Sequence, residues 1–293
     1  DTLETLKDKV EVATIIGTIQ SMGLNFPGLR QKWVDNCTEE RLLGVDINGQ
    51  LDCPLLVSDD GSIMELLKAH AIEVNKDYAQ RLGINQSASV TCVKPSGNSS
   101  QLFNCSSGLH ARWAPYYVRR VRVGGTSPLL GVLKDAGVPL SPENGQTAEN
   151  AITWVASFPI RSPEGAIVKG GRSALEQCEY WLKVKKHWTE HNPSVTITYY
   201  PEELEALTDW VVAHKDWIGG MSFLPAFDAK YQQMPYEQIS ETTYHELASS
   251  FPADIDFSRI TLYEKRDSTT ASQEQACLGG SCEIEYVPKT TIK

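Results

Sequence analysis

The chain has 293 residues, of which 41% are hydrophobic, so it can bury a large core as one α/β domain or as two smaller ones. Its 37 acidic and 27 basic residues give a net charge of −10, which argues against a nucleic-acid polymer or an anionic membrane as a partner. A single nucleotide held by one loop is compatible with that charge. The sequence shows no bilayer-spanning apolar run and no signal-peptide pattern, and its seven irregularly spaced cysteines do not resemble a secreted disulfide scaffold. We therefore expect a cytoplasmic protein.

The first predicted elements are a helix, a buried strand and a second, longer helix. The first two residues offer a suitable N-cap, and apolar residues then recur at helical spacing until about residue 22. These apolar residues are Leu3, Leu6, Val10, Ala13, Ile16 and Ile19. Residues 42–47 predict a buried strand closed by a turn at Asn48-Gly49, and Ser62 is predicted to cap the longer helix. A helix that starts at the first residues is compatible with a chain cut from a longer polypeptide.

A run of small polar residues follows the next predicted strand. The β-prone residues 90–93 lead to Pro95, which has no N–H for a sheet ladder and should end the strand. Residues 96–100 can then gather backbone N–H groups and hydroxyls around one anion, most favourably if residues 99–103 open a helix. The pattern predicts a phosphate-binding loop, and a strand-to-helix turn without a ligand is the alternative.

The middle of the chain predicts a strand with one solvated face. Residues 116–123 largely alternate apolar and basic side chains, and a short helix at 127–137 and a strand at 152–160 follow. The basic residues of the first strand are Arg119, Arg120 and Arg122. They could neutralise substrate phosphates, but pairing with the many carboxylates of the chain is the favoured interpretation.

The next elements alternate between helix and strand. A helix is predicted from Ser173 to about His191, a strand at 194–199, a helix from Pro201 and a strand at 221–224. Strand, helix and strand at this rhythm predict parallel pairing with crossover helices.

Three histidines were considered as metal ligands. His187 and His191 have the i, i+4 spacing that can bind a metal, but no carboxylate or cysteine is clearly placed as a third ligand. His70 likewise has no second ligand one helical turn away. The sequence therefore predicts structural histidines and no metal site.

The composition changes from residue 267, where the chain has almost nothing to bury. We predict a flexible tail over residues 267–293 that carries Cys277 and Cys282. Gly279 and Gly280 can fold the chain back so that the two thiols reach the spacing of a disulfide. A dithiol on such an arm suits thiol–disulfide exchange, and half of a zinc site is the alternative.

The motifs together resemble a known family. The chain is similar to the C-terminal part of the ribonucleotide reductase large chain, and within that family to the monomeric adenosylcobalamin-dependent ribonucleoside-triphosphate reductases. The matching segments, in family order, are residues 14–21 (TIIGTIQS), 39–45 (EERLLGV), 94–99 (KPSGNS), 107–110 (SGLH), 117–121 (YVRRV), 191–196 (HNPSVT), 222–225 (SFLP) and the pair Cys277 and Cys282.

The resemblance implies a fold and a set of site residues. Residues 1–266 would form the C-terminal half of the reductase domain, the later strands and helices of a ten-stranded α/β barrel, with 267–293 as the flexible redox tail. The substrate's phosphates would be held by Ser96, Gly97, Asn98, Ser99 and Ser100. Asn98 stands where many relatives carry Thr. The tail cysteines would reduce the active-site disulfide after each turnover and would be reduced in turn by a thioredoxin-like protein.

The resemblance also implies a missing part. The thiyl-radical cysteine of the family lies in an Asn-x-Cys-x-Glu loop, and this pattern does not occur in the sequence. We therefore expect a ribonucleotide-reducing enzyme that needs an N-terminal reductase fragment or subunit, with adenosylcobalamin bound together with that missing part. The alternatives are a non-catalytic nucleotide-binding module, which needs only the loop, and a thiol carrier or zinc adaptor, which needs only the tail.

Overall fold

The structure is a computed structural model, and it describes residues 1–94, 96–226 and 231–264. Cys277, Cys282 and the predicted tail at 267–293 lie outside the described residues. The chain divides into two compact units, the first formed by Asp1–Pro115 and Ser162–Ala229 and the second by Tyr116–Arg161 and Lys230–Lys293. Among the described residues, no helix is long and apolar enough to cross a membrane.

The described residues form a mixed α/β fold. The helices are α1 (Leu3–Gln20), α2 (Gln31–Glu40), α3 (Pro54–Ser58), α4 (Ser62–Leu82), α5 (Ser99–Leu102), α6 (Pro128–Asp135), α7 (Ala174–His187), α8 (Leu204–Ala213) and α9 (Glu241–Ser250). The strands are β1 (Val45–Asp46), β2 (Thr91–Cys92), β3 (Tyr116–Gly124), β4 (Leu140–Pro142), β5 (Thr153–Arg161), β6 (Thr196–Tyr199), β7 (Ser222–Pro225) and β8 (Tyr236–Gln238). Short 3₁₀ helices are Gln50–Asp52, Pro201–Glu203, Lys215–Trp217 and Phe257–Leu262.

The first unit contains two parallel strand pairs. β1 pairs with β2, so that Asp46 lies opposite Cys92, and β6 pairs with β7, from Thr196 opposite Ser222 to Tyr199 opposite Pro225. The predicted parallel pairing of the strands at 194–199 and 221–224 is confirmed. β1 is shorter than the predicted strand at 42–47.

Two buried tryptophans tie α7 to the strands of the first unit. Trp181 and Trp188 are fully buried, and their indole N–H groups donate to the carbonyl oxygens of Pro193 and Cys92, each at 2.8 Å. A buried indole usually needs such a partner for its N–H. α7 begins after Ser173, close to the predicted start, and the Ser173 hydroxyl accepts the N–H of Glu176 in a capping box.

The face that α1 buries includes only part of the apolar pattern. Its buried residues are Leu6, Val10, Thr14 and Thr18, spaced by four, whereas Ile16 and Ile19 of that pattern are half exposed. The threonine hydroxyls can be buried because they donate to carbonyls one turn earlier, at 2.7 and 2.8 Å.

The start of α4 was predicted one position too late. The N-cap position is held by Gly61, which has no side chain with which to cap, and Ser62 is already helical. The Asp59 carboxylate instead accepts the N–H groups of Gly61 and Ile63, at 3.0 and 3.1 Å. A carboxylate at this end of the helix is also favoured by the helix dipole.

The second unit is built on an antiparallel sheet with the strand order β4-β5-β3-β8. β3 pairs with β5 along its whole length, from Tyr116 opposite Arg161 to Gly124 opposite Thr153. The pairing of the β3 arginines with carboxylates is confirmed for two of them: Arg120 contacts Glu237 at 2.5 Å and Arg122 contacts Glu143 at 2.6 Å. The guanidinium of Arg119 lies over the ring of Tyr236.

One buried amide should determine much of the stability of the α1–α4 contact. The Asn75 carboxamide donates to the hydroxyls of Thr18 and Ser87 and accepts the N–H of Ser87. We predict that Asn75→Ala lowers the free energy of unfolding by about 3 kcal/mol, because it leaves buried polar groups unpaired and opens a small cavity. Urea denaturation would measure the change, and Lys76→Ala on the exposed side of α4 is the control. A loss no larger than that of the control would contradict the assigned role.

Candidate functional site

The predicted loop lies between β2 and the four-residue helix α5. The helix expected to open at residues 99–103 is confirmed as Ser99–Leu102. Hydroxyls close the loop on itself: the N–H of Ser100 donates to the Ser96 hydroxyl at 3.3 Å, the Ser96 and Ser99 hydroxyls are in contact, and the Ser100 hydroxyl donates to the Ser96 carbonyl. The serines therefore shape the loop.

Three consecutive backbone N–H groups of this loop are free. Within the part of the chain that the structure describes, the N–H groups of Gly97, Asn98 and Ser99 have no hydrogen-bond partner. Gly97 is exposed, its φ lies outside the left-handed region, and a Cβ added to it would meet no atom within 4 Å. Adjacent N–H groups beside open space can bind an anion.

The entrance and the exit of the loop are tied to the end of β1. The Asp46 carboxylate accepts the N–H of Lys94 at 3.2 Å and the side-chain amide of Asn48 at 3.1 Å. The Asn48 carbonyl oxygen accepts the N–H of Gly108 at 3.0 Å. Gly108 has φ +53°, and a Cβ there would lie 2.7 Å from the Lys94 carbonyl oxygen, so this close approach requires glycine.

Burial shifts the titration of the groups beside the loop. It raises the pKa of Asp46 to about 6, although the bonds from Lys94 and Asn48 act in the opposite direction. Burial, with the nearby Asp46 charge, raises the pKa of the Cys92 thiol to about 11, and burial likewise raises the pKa of Cys105. Both thiols that flank the loop are therefore protonated at neutral pH, and neither is an activated nucleophile.

His110 connects the exit of the loop to β6. Its Nε2 lies 3.0 Å from the backbone nitrogen of Thr196, and its Nδ1 lies 3.0 Å from the Ser107 carbonyl oxygen. A backbone N–H can only donate, so Nε2 accepts and the proton of the neutral ring sits on Nδ1. Burial lowers the pKa of this histidine.

A buried ion pair supports the loop exit from the other side. The Arg112 guanidinium donates hydrogen bonds of 2.9 to 3.1 Å to the Asp52 carboxylate, and both side chains are at least nine-tenths buried. Arg112 also donates to the carbonyl of Asn104, a non-glycine residue at φ +49°. Asp52 in addition accepts the N–H of Ser106 at 2.7 Å.

The sequence analysis missed the roles of Asp46, Asn48, Asp52 and Arg112, and it placed His110 only within a motif. The partners are about 50 to 90 positions apart along the chain, and no local pattern reveals them. The one available signal was Asn48-Gly49, which predicted the turn but not the contact to Gly108.

The histidines considered as metal ligands contact separate partners. α7 ends at His187, so His191 is not on the next turn of the same helix as predicted. His187 Nδ1 lies 2.7 Å from a Glu65 carboxylate oxygen, and His191 Nε2 lies 2.9 Å from the Ser89 hydroxyl.

His110 should make the stability of the protein depend on pH. In the unfolded chain its pKa is near 6.5, and in the folded chain it is lower. The stabilising contribution is therefore complete above pH 6.5 and is lost as the pH falls from 6.5 through the folded pKa. His110→Gln keeps an acceptor for Thr196 but does not titrate, so the difference between it and the wild type should shrink as the pH falls from 8 to 5.

Unfolding free energies measured across that range would test this, with the exposed His245→Gln as the control. Asp46 acts in the opposite direction, since its raised pKa gives stability at low pH that is lost as the pH rises toward 6. Comparison of variants at each pH separates the two effects. A pH-independent difference between the wild type and His110→Gln would contradict the lowered pKa of His110 in the folded chain.

Comparison with known proteins gives a consistent set of relatives. No protein-family model matches the chain. The chain is 28% identical to the adenosylcobalamin-dependent ribonucleoside-triphosphate reductase of Levilactobacillus brevis, over 73% of this chain and 29% of the relative. It is 27% identical to the reductase of the same name from Lactobacillus acidophilus, over 92% of this chain and 37% of the relative. The chain thus spans about a third of the length of the curated relatives it matches.

The fold has a solved counterpart. The crystal structure of a B12-dependent (class II) ribonucleotide reductase matches with a TM-score of 0.74 and 20% identity, over 89% of this chain and 40% of that one. The match confirms the mixed α/β fold, whereas the ten-stranded barrel stays a prediction because the chain covers only part of it. The resemblance drawn from the motifs is confirmed: this chain is homologous, over most of its length, to the adenosylcobalamin-dependent ribonucleoside-triphosphate reductases.

Proposed function

We propose that this chain is the C-terminal part of a ribonucleotide reductase and that, with the remaining part, it converts ribonucleoside triphosphates to 2'-deoxyribonucleotides. The observation that carries the proposal is the loop after β2, where the N–H groups of Gly97, Asn98 and Ser99 are free beside open space. The similarity to ribonucleoside-triphosphate reductases supports a nucleotide phosphate as the anion.

In this proposal the loop contributes mainly backbone donors. The hydroxyls of Ser96 and Ser100 already form hydrogen bonds within the loop, so their role is to stabilise its conformation. The three free N–H groups are donors, and they suit a ligand with several oxygen acceptors. Asn98, which replaces the Thr of many relatives, changes a side chain and leaves the backbone donor in place.

The chemistry of hydrogen abstraction would come from the missing part. The Asn-x-Cys-x-Glu pattern does not occur in the 293 residues. The thiols of Cys92 and Cys105, beside the loop, have raised pKa values and are therefore not thiolates at neutral pH. The proposal is therefore that the chain by itself has no reductase activity and needs an N-terminal reductase fragment or subunit.

The cofactor named for the relatives is adenosylcobalamin. Two of the cavities that the described residues form, of about 370 and 310 Å³, are at the lower limit for drug-sized ligands, and each is too small for a corrinoid. We propose that adenosylcobalamin binds together with the N-terminal part.

Cys277 and Cys282 are proposed as the shuttle dithiol. One thiolate would attack the active-site disulfide to form a mixed disulfide, and the second would displace it, so that two electrons and two protons pass to the active site and the pair becomes a disulfide. A thioredoxin-like protein would supply the electrons that restore the dithiol. Such a reductant fits the cytoplasmic location expected from the composition.

Gly97→Val tests the loop. A Cβ at residue 97 meets no atom within 4 Å, so we expect normal stability but a rise of at least tenfold in the KM for the ribonucleotide in the assembled enzyme, because the branched side chain blocks the anion. Ser99→Ala removes only a hydroxyl and should cost about 1 kcal/mol, roughly fivefold in KM. Normal nucleotide binding by Gly97→Val would show that the loop is a strand-to-helix turn that binds no phosphate.

Replacing both tail cysteines tests the shuttle. In the assembled enzyme, the Cys277→Ser and Cys282→Ser double variant should complete one turnover from thiols already reduced in the partner and then stop with a thioredoxin-type reductant. A small dithiol that diffuses into the site should partly restore multiple turnover. Single-turnover and steady-state assays would measure both. Normal cycling of the double variant with the protein reductant would exclude the shuttle and favour an idle or metal-binding pair.

A further inference from the structure

One face of α1 is apolar and exposed. Val12, Ile16 and Ile19 are 57, 51 and 52% exposed, and their i, i+4, i+7 spacing places them along one side of the helix. The opposite side buries Thr14 and Thr18 completely. The helix thus exposes branched apolar side chains while it buries hydroxyls. We call Val12, Ile16 and Ile19 the α1 apolar face.

A groove runs beside this face. Its volume is about 310 Å³, and small residues of the helix, Ala13 and Gly17, form part of its wall. The remaining lining residues are Gln20, Ser21, Leu42, Leu43, Gly44, Val45 and Asp46. Leu42, at the start of the strand segment, is itself half exposed. Large side chains that protrude next to a groove lined in part by small residues give a surface on which another helix or strand can pack.

Such a surface is unusual for a helix with a single packed side. A surface helix normally places its apolar stripe on the core and its polar residues in water. Here the core side includes threonines that satisfy their hydroxyls within the helix, so the apolar residues on the other side are not needed by the core. Contiguous exposed apolar residues of this kind mark interaction sites.

A large part of the related fold has no counterpart in this chain. The solved reductase matches 89% of this chain, but this chain accounts for only 40% of that one, so most of the related fold lies outside it. We propose that the α1 apolar face and its groove are the surface on which the remaining, N-terminal part of the reductase docks. The inference rests on the proposed function, since it names the contact surface of the partner required there.

Docking of a partner at the α1 apolar face would also affect the candidate phosphate loop. The groove reaches Asp46, whose carboxylate holds the N–H of Lys94 at the entrance of the phosphate loop. Docking would bury this carboxylate further and exclude water from the end of β1. Assembly and nucleotide binding are therefore coupled, and the assembled enzyme should bind nucleotide more tightly than the chain by itself.

The test uses the full chain and the cognate polypeptide that carries the rest of the reductase. Ile16→Glu with Ile19→Glu should weaken the complex at least 100-fold in sedimentation or calorimetry, because two charges would be buried against the partner. Val212→Glu is the control, since Val212 is a β-branched apolar residue on another helix, α8, and is more exposed than Ile16 or Ile19. Circular dichroism would show that all variants are folded, as the replaced side chains are exposed.

The outcomes separate the docking surface from the proposed function. Protection of α1 amides from hydrogen exchange on mixing, lost in the double variant, supports the surface. Equal affinity of the double variant and the wild type overturns it, as does a wild-type chain that dimerises by itself through this face. If the complex forms through α1 but makes no deoxynucleotide with adenosylcobalamin and a dithiol, the surface stands and the proposed function fails.

Discussion

The Asp46 carboxylate at the end of β1 is the interaction on which the candidate site depends. It holds the entrance of the loop through the N–H of Lys94 and, through Asn48, the exit at Gly108. Partial burial makes this carboxylate costly to ionise, which its raised pKa reflects, and the bonds from Lys94 and Asn48 offset part of that cost. Three segments distant in the sequence are thereby brought to one place.

Two further contacts hold the segment that leaves the loop. The buried Arg112–Asp52 pair holds the exit segment, and removal of either partner would leave an uncompensated buried charge. His110 bonds the same segment to β6. In the proposed function, an anion would meet N–H groups that the surrounding contacts already position, which lowers the entropic cost of binding.

The first unit contains both the free N–H groups of the loop and the α1 apolar face. The N–H groups after β2 are free, and the apolar face of α1 is exposed. The groove beside that face ends at Asp46, which also supports the loop. Both surfaces therefore lie in the same unit as the candidate loop, and the proposed function and the proposed docking surface use both of them.

Local patterns in the sequence determined several of the helices and strands. Caps, turn dipeptides and apolar periodicity predicted the helix after Ser173, the parallel strands at 194–199 and 221–224, and the opening of α5, because these depend on neighbours a few residues apart. Periodicity could not choose which side of α1 faces the core, since both sides carry apolar residues and the buried threonines satisfy themselves. The tertiary structure alone decided that, as it decided the contacts of Asp46, Arg112 and His110, because those bonds join residues that only folding brings together.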